Sequence, residues 1–494
     1  MEELKKLVQI IQKRGASDSQ LLNFKTKRPN KEWVLFDGLA TGYIQNEEDA
    51  LKLLYPEENS TAAFKMVKSR LRKKLMNQLF FLDFQGKSIK SSHTLEQECL
   101  AKLYQARVLI NSGAYDLALP LLRQVLATAQ NYDFNDIASL ALRSFMHAYA
   151  NLGERTQFYK VTEQLLNLTP KLTADQESEK LFLESKIELS HSVSARKNHL
   201  GKVREVLDKL ETLWQESQSY NTFDYYYILS IWAQELIGDF IKIVDITNAS
   251  EELLKNNKVN AERFDHRYNK YIQVYAHLRA KKLTEGIRLA SRYETSFNPS
   301  SNNWFAFMEN YTLLALHAKQ YEVAHGIMHK VLTNPFFKKI TKMAQERWSL
   351  FEAYLHLMAP QHDVPFKWQN LVQNVPSYSK DKEGFNVAIL ILQVLYYVEM
   401  LDTEALEYRM EALKKYAHKH FKDSFSERSR IFFKLLALVV KANFDFTATQ
   451  KRGEALYQKL LHTNPPGDAY AEIEIVPYEH LWLLVLERLQ KQEA

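Results

Sequence analysis

A chain of 494 residues that is 46% hydrophobic carries enough apolar side chain for a continuous core, which excludes a disordered polymer. Its 13 Gly and 12 Pro are too few for a multi-stranded protein that turns every ten residues, and its single cysteine, Cys99, excludes an internal disulfide framework and a thiolate-rich zinc site. The net charge of +6 is uneven: residues 1–90 hold 17 of the 65 Lys+Arg and 11 of the 59 Asp+Glu, which leaves 48 of each sign in the remainder. The fold class expected from these numbers is all-α.

The opening MEELKKLVQIIQKRG has acids at once and only a short amphipathic run, unlike a secretory signal, and reads as a helix over 2–13. No window approaches the roughly 18 uncharged apolar residues needed to span a bilayer, so a soluble, cytoplasmic protein is expected, with no membrane partner. After a polar linker, a helix is expected over Trp33–Thr41. A short one follows, begun by the cap Asn46 with Glu47, Glu48 and Asp49 in its first turn. YPEENS makes a turn, and Thr61 to about Leu82 reads as a long basic helix.

On that helix Phe64, Val67, Leu71, Leu75 and Leu79 share one face at steps of three and four, and the opposite side is expected to carry Lys65, Lys68, Arg72 and, nearby, Lys73. No acid occurs between Thr61 and Leu82. A stripe of one sign would neutralise phosphates, which makes Lys65, Lys68, Arg70, Arg72 and Lys73 candidate contacts for nucleic acid or an acidic partner. The plainer reading is a solvated face attracted to the acidic stretch at 47–58. Three helices with a turn before a basic third form the skeleton of a helix-turn-helix domain. DALKLLYPEENSTAAFKMVKSRLRKKL also resembles the winged-helix segment of SARP-type bacterial transcriptional activators, where an aromatic-Pro-acid turn precedes a Ser-Arg-Leu-Arg run. That resemblance implies DNA contact by residues 30–95 and a tetratricopeptide-like region behind it. Residues 1–95 are accordingly expected to form one basic helical domain.

From residue 96 the chain repeats. Pairs of amphipathic helices are separated by short polar or glycine turns at Gly113, Gly153, around Lys197, Gly238, around Lys281, Lys319, Leu401 and Phe444, about 38 to 44 residues apart, with the gap from 319 to 401 equal to two periods. In the first unit Leu103, Ala106 and Leu109 put an apolar stripe on one helix, and Ala118, Leu122 and Val125 put one on the next. One hairpin cannot bury both its faces, so it needs neighbours on either side. The run Ala106, Leu109, Gly113, Tyr115, Ala118, Leu122 resembles the tetratricopeptide repeat (TPR) pattern, and Ala315, Lys319, Tyr321, Ala324, Met328 and Val331 line up with it. LLNLTP, ending at Pro170, is similar to the way that family ends its second helix. Units longer than the usual 34 residues, and Phe158 where an alanine is expected, depart from the pattern. The resemblance implies a right-handed α-solenoid of about nine hairpins over 96–465, whose concave face holds a partner protein.

An irregular insertion is expected near 359–383, and Pro465, Pro466 and Gly467 stop the array. Within the tail, 466–494, a final helix over Tyr478–Leu489 with the face Leu481, Leu484, Val485 and Leu489 would cap it. No glycine-rich phosphate loop, HExxH or nucleophile elbow occurs, and the chain is expected to be non-enzymatic, without cofactor or metal. His325 and His329 share a helix face, with His317 on the preceding helix; groove-lining or surface histidines are the simpler reading than metal ligands. His418 and His420, two apart, point to different sides. Of Tyr225, Tyr226 and Tyr227, one is expected to face the core. Two functions remain open: an adaptor that binds another protein in the concave groove, and a DNA-binding transcriptional regulator with a TPR-like sensor region.

Overall fold

The structure, a computed structural model, describes residues 1–14, 30–56, 61–79, 92–190, 193–360, 383–399, 408, 411, 427–463 and 474–493. Among them there are twenty α-helices and no strand, so the all-α expectation holds. The chain divides into two compact units, Met1–Leu172 and Thr173–Ala494. The expected features at Leu401, His418, His420, Pro465, Pro466, Gly467 and 361–382 lie outside the described residues.

The first unit begins with α1 (Glu2–Arg14), α2 (Lys31–Ala40), α3 (Glu47–Leu54) and α4 (Thr61–Gln78). Asn46 caps α3 as its sequence predicts: its side chain accepts from the Asp49 backbone N–H at 2.9 Å, and Asp49 returns an acceptor to the Asn46 N–H at 3.2 Å. The apolar face of α4 buries Phe64, Val67, Leu71 and Leu75 against Leu4, Leu7 and Val8 of α1, Leu35 and Leu39 of α2 and Leu54 of α3. Thus α1 joins the three helices of the expected helix-turn-helix in one core. The region after Leu79, where a wing would have to lie, falls outside the described residues until Ser92.

Next come α5 (Ser92–Asn111), α6 (Tyr115–Asn131), α7 (Asn135–Leu152) and the long α8 (Arg155–Ser190). Cys99, Leu103, Ala106, Leu122 and Val125 are buried together with Ile137, Ala141 and Phe145 of α7. The α5–α6 turn closes through Gly113 at φ 76°, with the Ala114 N–H on the Leu109 carbonyl at 2.9 Å. Elsewhere the same left-handed position is taken by lysine: Lys281 and Lys319 both have φ 57°, and Gln320 N–H reaches the Ala315 carbonyl at 2.8 Å. The glycine-or-lysine turn in the sequence is this one hydrogen-bonded closure.

Two boundaries differ from expectation. Pro170 does not end a helix; α8 runs through it. A helix-interior proline costs about 3 kcal/mol and frees the carbonyl four residues back. That carbonyl belongs to Leu166, an exposed residue that water can serve, while beyond it Ala174, Asp175, Ser178, Phe182 and Ser185 recur at helical steps and are buried. Packing of that stripe outweighs the proline. Nor is there a turn at Lys197, which lies inside α9 (Val193–Ser217); α8 ends at Ser190, and Val203 and Leu210 carry the apolar period of α9 onward.

The second unit continues with α10 (Tyr220–Ile237), α11 (Phe240–Lys255), α12 (His266–Arg279), α13 (Leu283–Tyr293), α14 (Asn302–His317), α15 (Tyr321–Leu332) and α16 (Lys342–Met358). After them come α17 (Glu383–Glu399), α18 (Glu427–Lys441), α19 (Phe446–His462) and α20 (Tyr478–Glu493). Each of α10 to α14 packs on the next helix in the chain, and α12 on α14 and α14 on α16 skip one. One core runs from Val274 to Leu489 and takes in Trp304, Trp348 and Trp482, three of the tryptophans. The final helix packs on α17, α18 and α19.

Candidate partner-binding surfaces

The five basic residues singled out on α4 fall into two groups. Lys68 and Arg72 sit on the flank of the helix and are spent within the fold: Lys68 Nζ pairs with Glu47, and Arg72 Nε donates to Glu3 Oε1 at 2.7 Å. The bond from Lys68 holds the Glu47 carboxyl below its ordinary range. Lys74, on the other flank, pairs with Glu32 at 2.5 Å. Lys65, Arg70 and Lys73 are exposed on the outward face beside Met66 and Met76, and make no ion pair among the described residues. Attraction to the acidic stretch therefore accounts for Lys68 and attraction to Glu3 for Arg72, and three cations are left without an ion pair among the described residues.

A cleft of about 570 Å³ opens between α5 and α7 in the first unit. Arg107, Ile110 and Asn111 line it from α5; Ser144, His147 and Asn151 line it from α7. Both rows follow from helical spacing. Arg107 and Asn111 continue from Leu103 at steps of four, along the exposed edge of the buried stripe of Cys99, Leu103 and Ala106, while Ser144, His147 and Asn151 stand at steps of three and four. The Ser144 hydroxyl donates to the Leu140 carbonyl at 2.8 Å, and Asn151 Nδ2 to that of His147 at 2.9 Å. The Arg107 guanidinium makes no ion pair among the described residues, and no carboxylate lines the cleft. With those protons spent inside α7, the lining presents the Arg107 cation among neutral polar groups, with no resident anion. None of these residues was evident as a site in the sequence; the available signal was the matching polar row on the first helices of two successive hairpins.

In the second unit a smaller cleft of about 310 Å³ is lined by Asp265, Arg267, Tyr268, Tyr271, Phe297, Asn303 and Ala306. Asp265 is held by its cap on α12, accepting from the Arg267 and Tyr268 N–H groups at 3.0 and 3.1 Å. Farther along α12, the Tyr275 hydroxyl donates to Glu235 of α10 at 2.7 Å, and burial pushes the Tyr268, Tyr271 and Tyr275 phenols above their ordinary range. On α14 burial raises the Glu309 carboxyl, and Arg347 of α16 answers it at 2.9 Å. Of the DYYYIL tyrosines one is buried, as helical spacing predicts: it is Tyr227, whose hydroxyl donates to Asn269 Oδ1 at 2.7 Å, while Tyr225 and Tyr226 are half-buried.

The histidines considered as metal ligands are occupied separately. His325 Nε2 meets the Ala359 carbonyl at 3.1 Å, His317 Nε2 meets that of Glu474 at 2.7 Å, and His329 is exposed. Among the described residues no group of three or more His, Cys, Asp or Glu is placed to hold a metal ion, and no helix is long and apolar enough to cross a membrane. Comparison with protein-family models, with curated proteins and with solved structures finds no match to this chain.

Proposed function

We infer that the chain is a non-enzymatic adaptor: a TPR-like α-solenoid whose first helices form a groove for a segment of another protein. Support for the solenoid comes from packing that proceeds to the next helix and the next but one, and from turns that reuse one left-handed closure. The observation that carries the function is the cleft between α5 and α7, where the Arg107 guanidinium stands over a lining that holds no carboxylate, which suits a carboxylate of the partner, either a chain terminus or an acidic side chain.

The test is an anisotropy titration of the intact protein with labelled acidic peptides ending in a free carboxylate, beside their amidated counterparts. Arg107→Ala should weaken binding by at least roughly tenfold, since a hydrogen bond to a charged group contributes about 1.5–3 kcal/mol. Binding indifferent to both carboxylates and Arg107 would remove this reading.

A second reading, a DNA-binding transcriptional regulator with a helix-turn-helix at its N-terminal end, draws support from one observation. Lys65, Arg70 and Lys73 stand exposed on the outward side of α4 and make no ion pair among the described residues. It is the weaker reading, because Lys68 and Arg72 already serve Glu47 and Glu3.

A further inference from the structure

The second unit is fastened to its own C-terminal segment. Arg428, in the first turn of α18 and only 1% exposed, reaches five acceptors at once. Its Nε and Nη2 meet the two Glu474 carboxylate oxygens at 2.5 and 3.0 Å, Nη1 meets the Leu460 and Thr463 carbonyls at 2.9 and 2.8 Å, and Nη2 also pairs with Glu479. Glu479 faces Lys281 Nζ at 3.5 Å, in the turn between α12 and α13. At the end of α14, 157 residues away in sequence, His317 Nε2 bonds the Glu474 carbonyl, so that nitrogen carries the proton. Apolar contacts complete the fastening: Ile475 and Val476 are buried, Tyr478 stacks on Phe432 at 4.6 Å, and a Cβ on Gly453 of α19 would stand 2.7 Å from the Trp482 ring.

Two neutral histidines sit in this ionic cluster. Burial holds the imidazoles of His317 and His480 below the ordinary histidine value, His480 at about 4. The groups facing them are Lys281 and Lys319 from the two turns, Arg428 from α18, and Glu474 and Glu479 from the segment itself. Burial pushes the Glu479 carboxyl up, but Arg428 and Lys281 outweigh it and hold the group below its ordinary range, so it stays charged where the imidazoles begin to titrate. Protonating both would add two charges to three cations against two carboxylates. It would also give His480 a second N–H, although its buried Nδ1 has no hydrogen-bond partner among the described residues.

We propose that the segment Glu474–Glu493 is an acid-released bolt: charging of His317 and His480 frees it from α18 and from the α12–α13 and α14–α15 turns, and opens the second unit. The direction follows from linkage. A histidine whose value is depressed in the closed state stabilises closure above about 6.5 and loses that contribution as the pH falls toward about 4. His480 alone would raise the ratio of open to closed roughly thirtyfold between about pH 7.5 and about pH 5.

Hydrogen exchange of the intact chain, corrected for the intrinsic pH dependence, reads this directly. Protection of 474–493 should fall at least roughly tenfold more than that of α7 over that interval. The double variant His317→Gln, His480→Gln should keep the protection. As a measurement that does not depend on the folding of that variant, the wild-type imidazoles are also followed by NMR, where both should titrate together with the loss of protection. Unchanged protection, equal loss in a folded double variant, or imidazoles that titrate near 6.5 without opening would each overturn the proposal.

Discussion

Arg72 and Arg428 each grip a glutamate, at 2.7 and 2.5 Å, yet the two contacts differ in kind. Arg72 and Glu3 are half in water, with side-chain exposures of 51% and 60%, so their attraction is screened and two flexible side chains must be held still to make it. Arg428 is enclosed, with Glu474 at 13% exposure and Glu479 at 15%, and every donor direction it uses is met. Distance alone does not rank the pairs. What ranks them is what each group would face if its partner were removed: water for Glu3, and a dry interior for Glu474 and Glu479.

The largest expected effect comes from breaking the enclosed cluster. Arg428→Ala should cost about 3–5 kcal/mol in denaturant unfolding of the second unit, because it strands two carboxylates and the Leu460 and Thr463 carbonyls. In the same background Glu479→Gln should recover part of that loss, a non-additivity that a structural role elsewhere would not give. If the two substitutions simply add, the carboxylates are solvated and the cluster is no bolt. The exposed counterpart sets the scale: Arg72→Ala should cost only about 0.2–1 kcal/mol in thermal unfolding, and salt should erase most of it. A loss as large as that of Arg428→Ala would mean that Arg72 has a structural role beyond its exposed pair.

The same contrast explains how much could be read from the sequence. Helix periodicity located the buried faces of α4, α5 and α6, and the cap at Asn46, because these depend on residues three or four apart. Gly113, Lys281 and Lys319 marked turns for the same local reason. Pro170 misled, since the preference it expresses is local and the burial of Phe182 and Ser178 that overrides it is not. Arg428 gave no signal at all: Glu474 and Glu479 lie 46 and 51 residues away, beyond an intervening helix. The cleft at Arg107 stands between these cases. Its two rows are legible singly, and only the packing of α5 on α7 sets Arg107 beside His147.

The smallest effect on stability carries the sharpest question about function. Replacing Lys65, Arg70 and Lys73 by Glu should change unfolding by less than about 0.5 kcal/mol, because all three are exposed and none makes an ion pair among the described residues. Duplex DNA of mixed sequence, titrated by anisotropy at several salt concentrations, then separates the two functions. Binding that falls steeply with salt and is lost in this variant would make α4 a phosphate-contacting helix and favour the regulator. If loss required Lys68→Ala and Arg72→Ala as well, DNA would be competing with Glu47 and Glu3, and the contact would have to open part of the N-terminal core's ionic surround. No binding at low salt would leave these cations as the solvated side of a helix whose other side holds α1, α2 and α3 together, and the partner would have to be sought at Arg107 and Asn111.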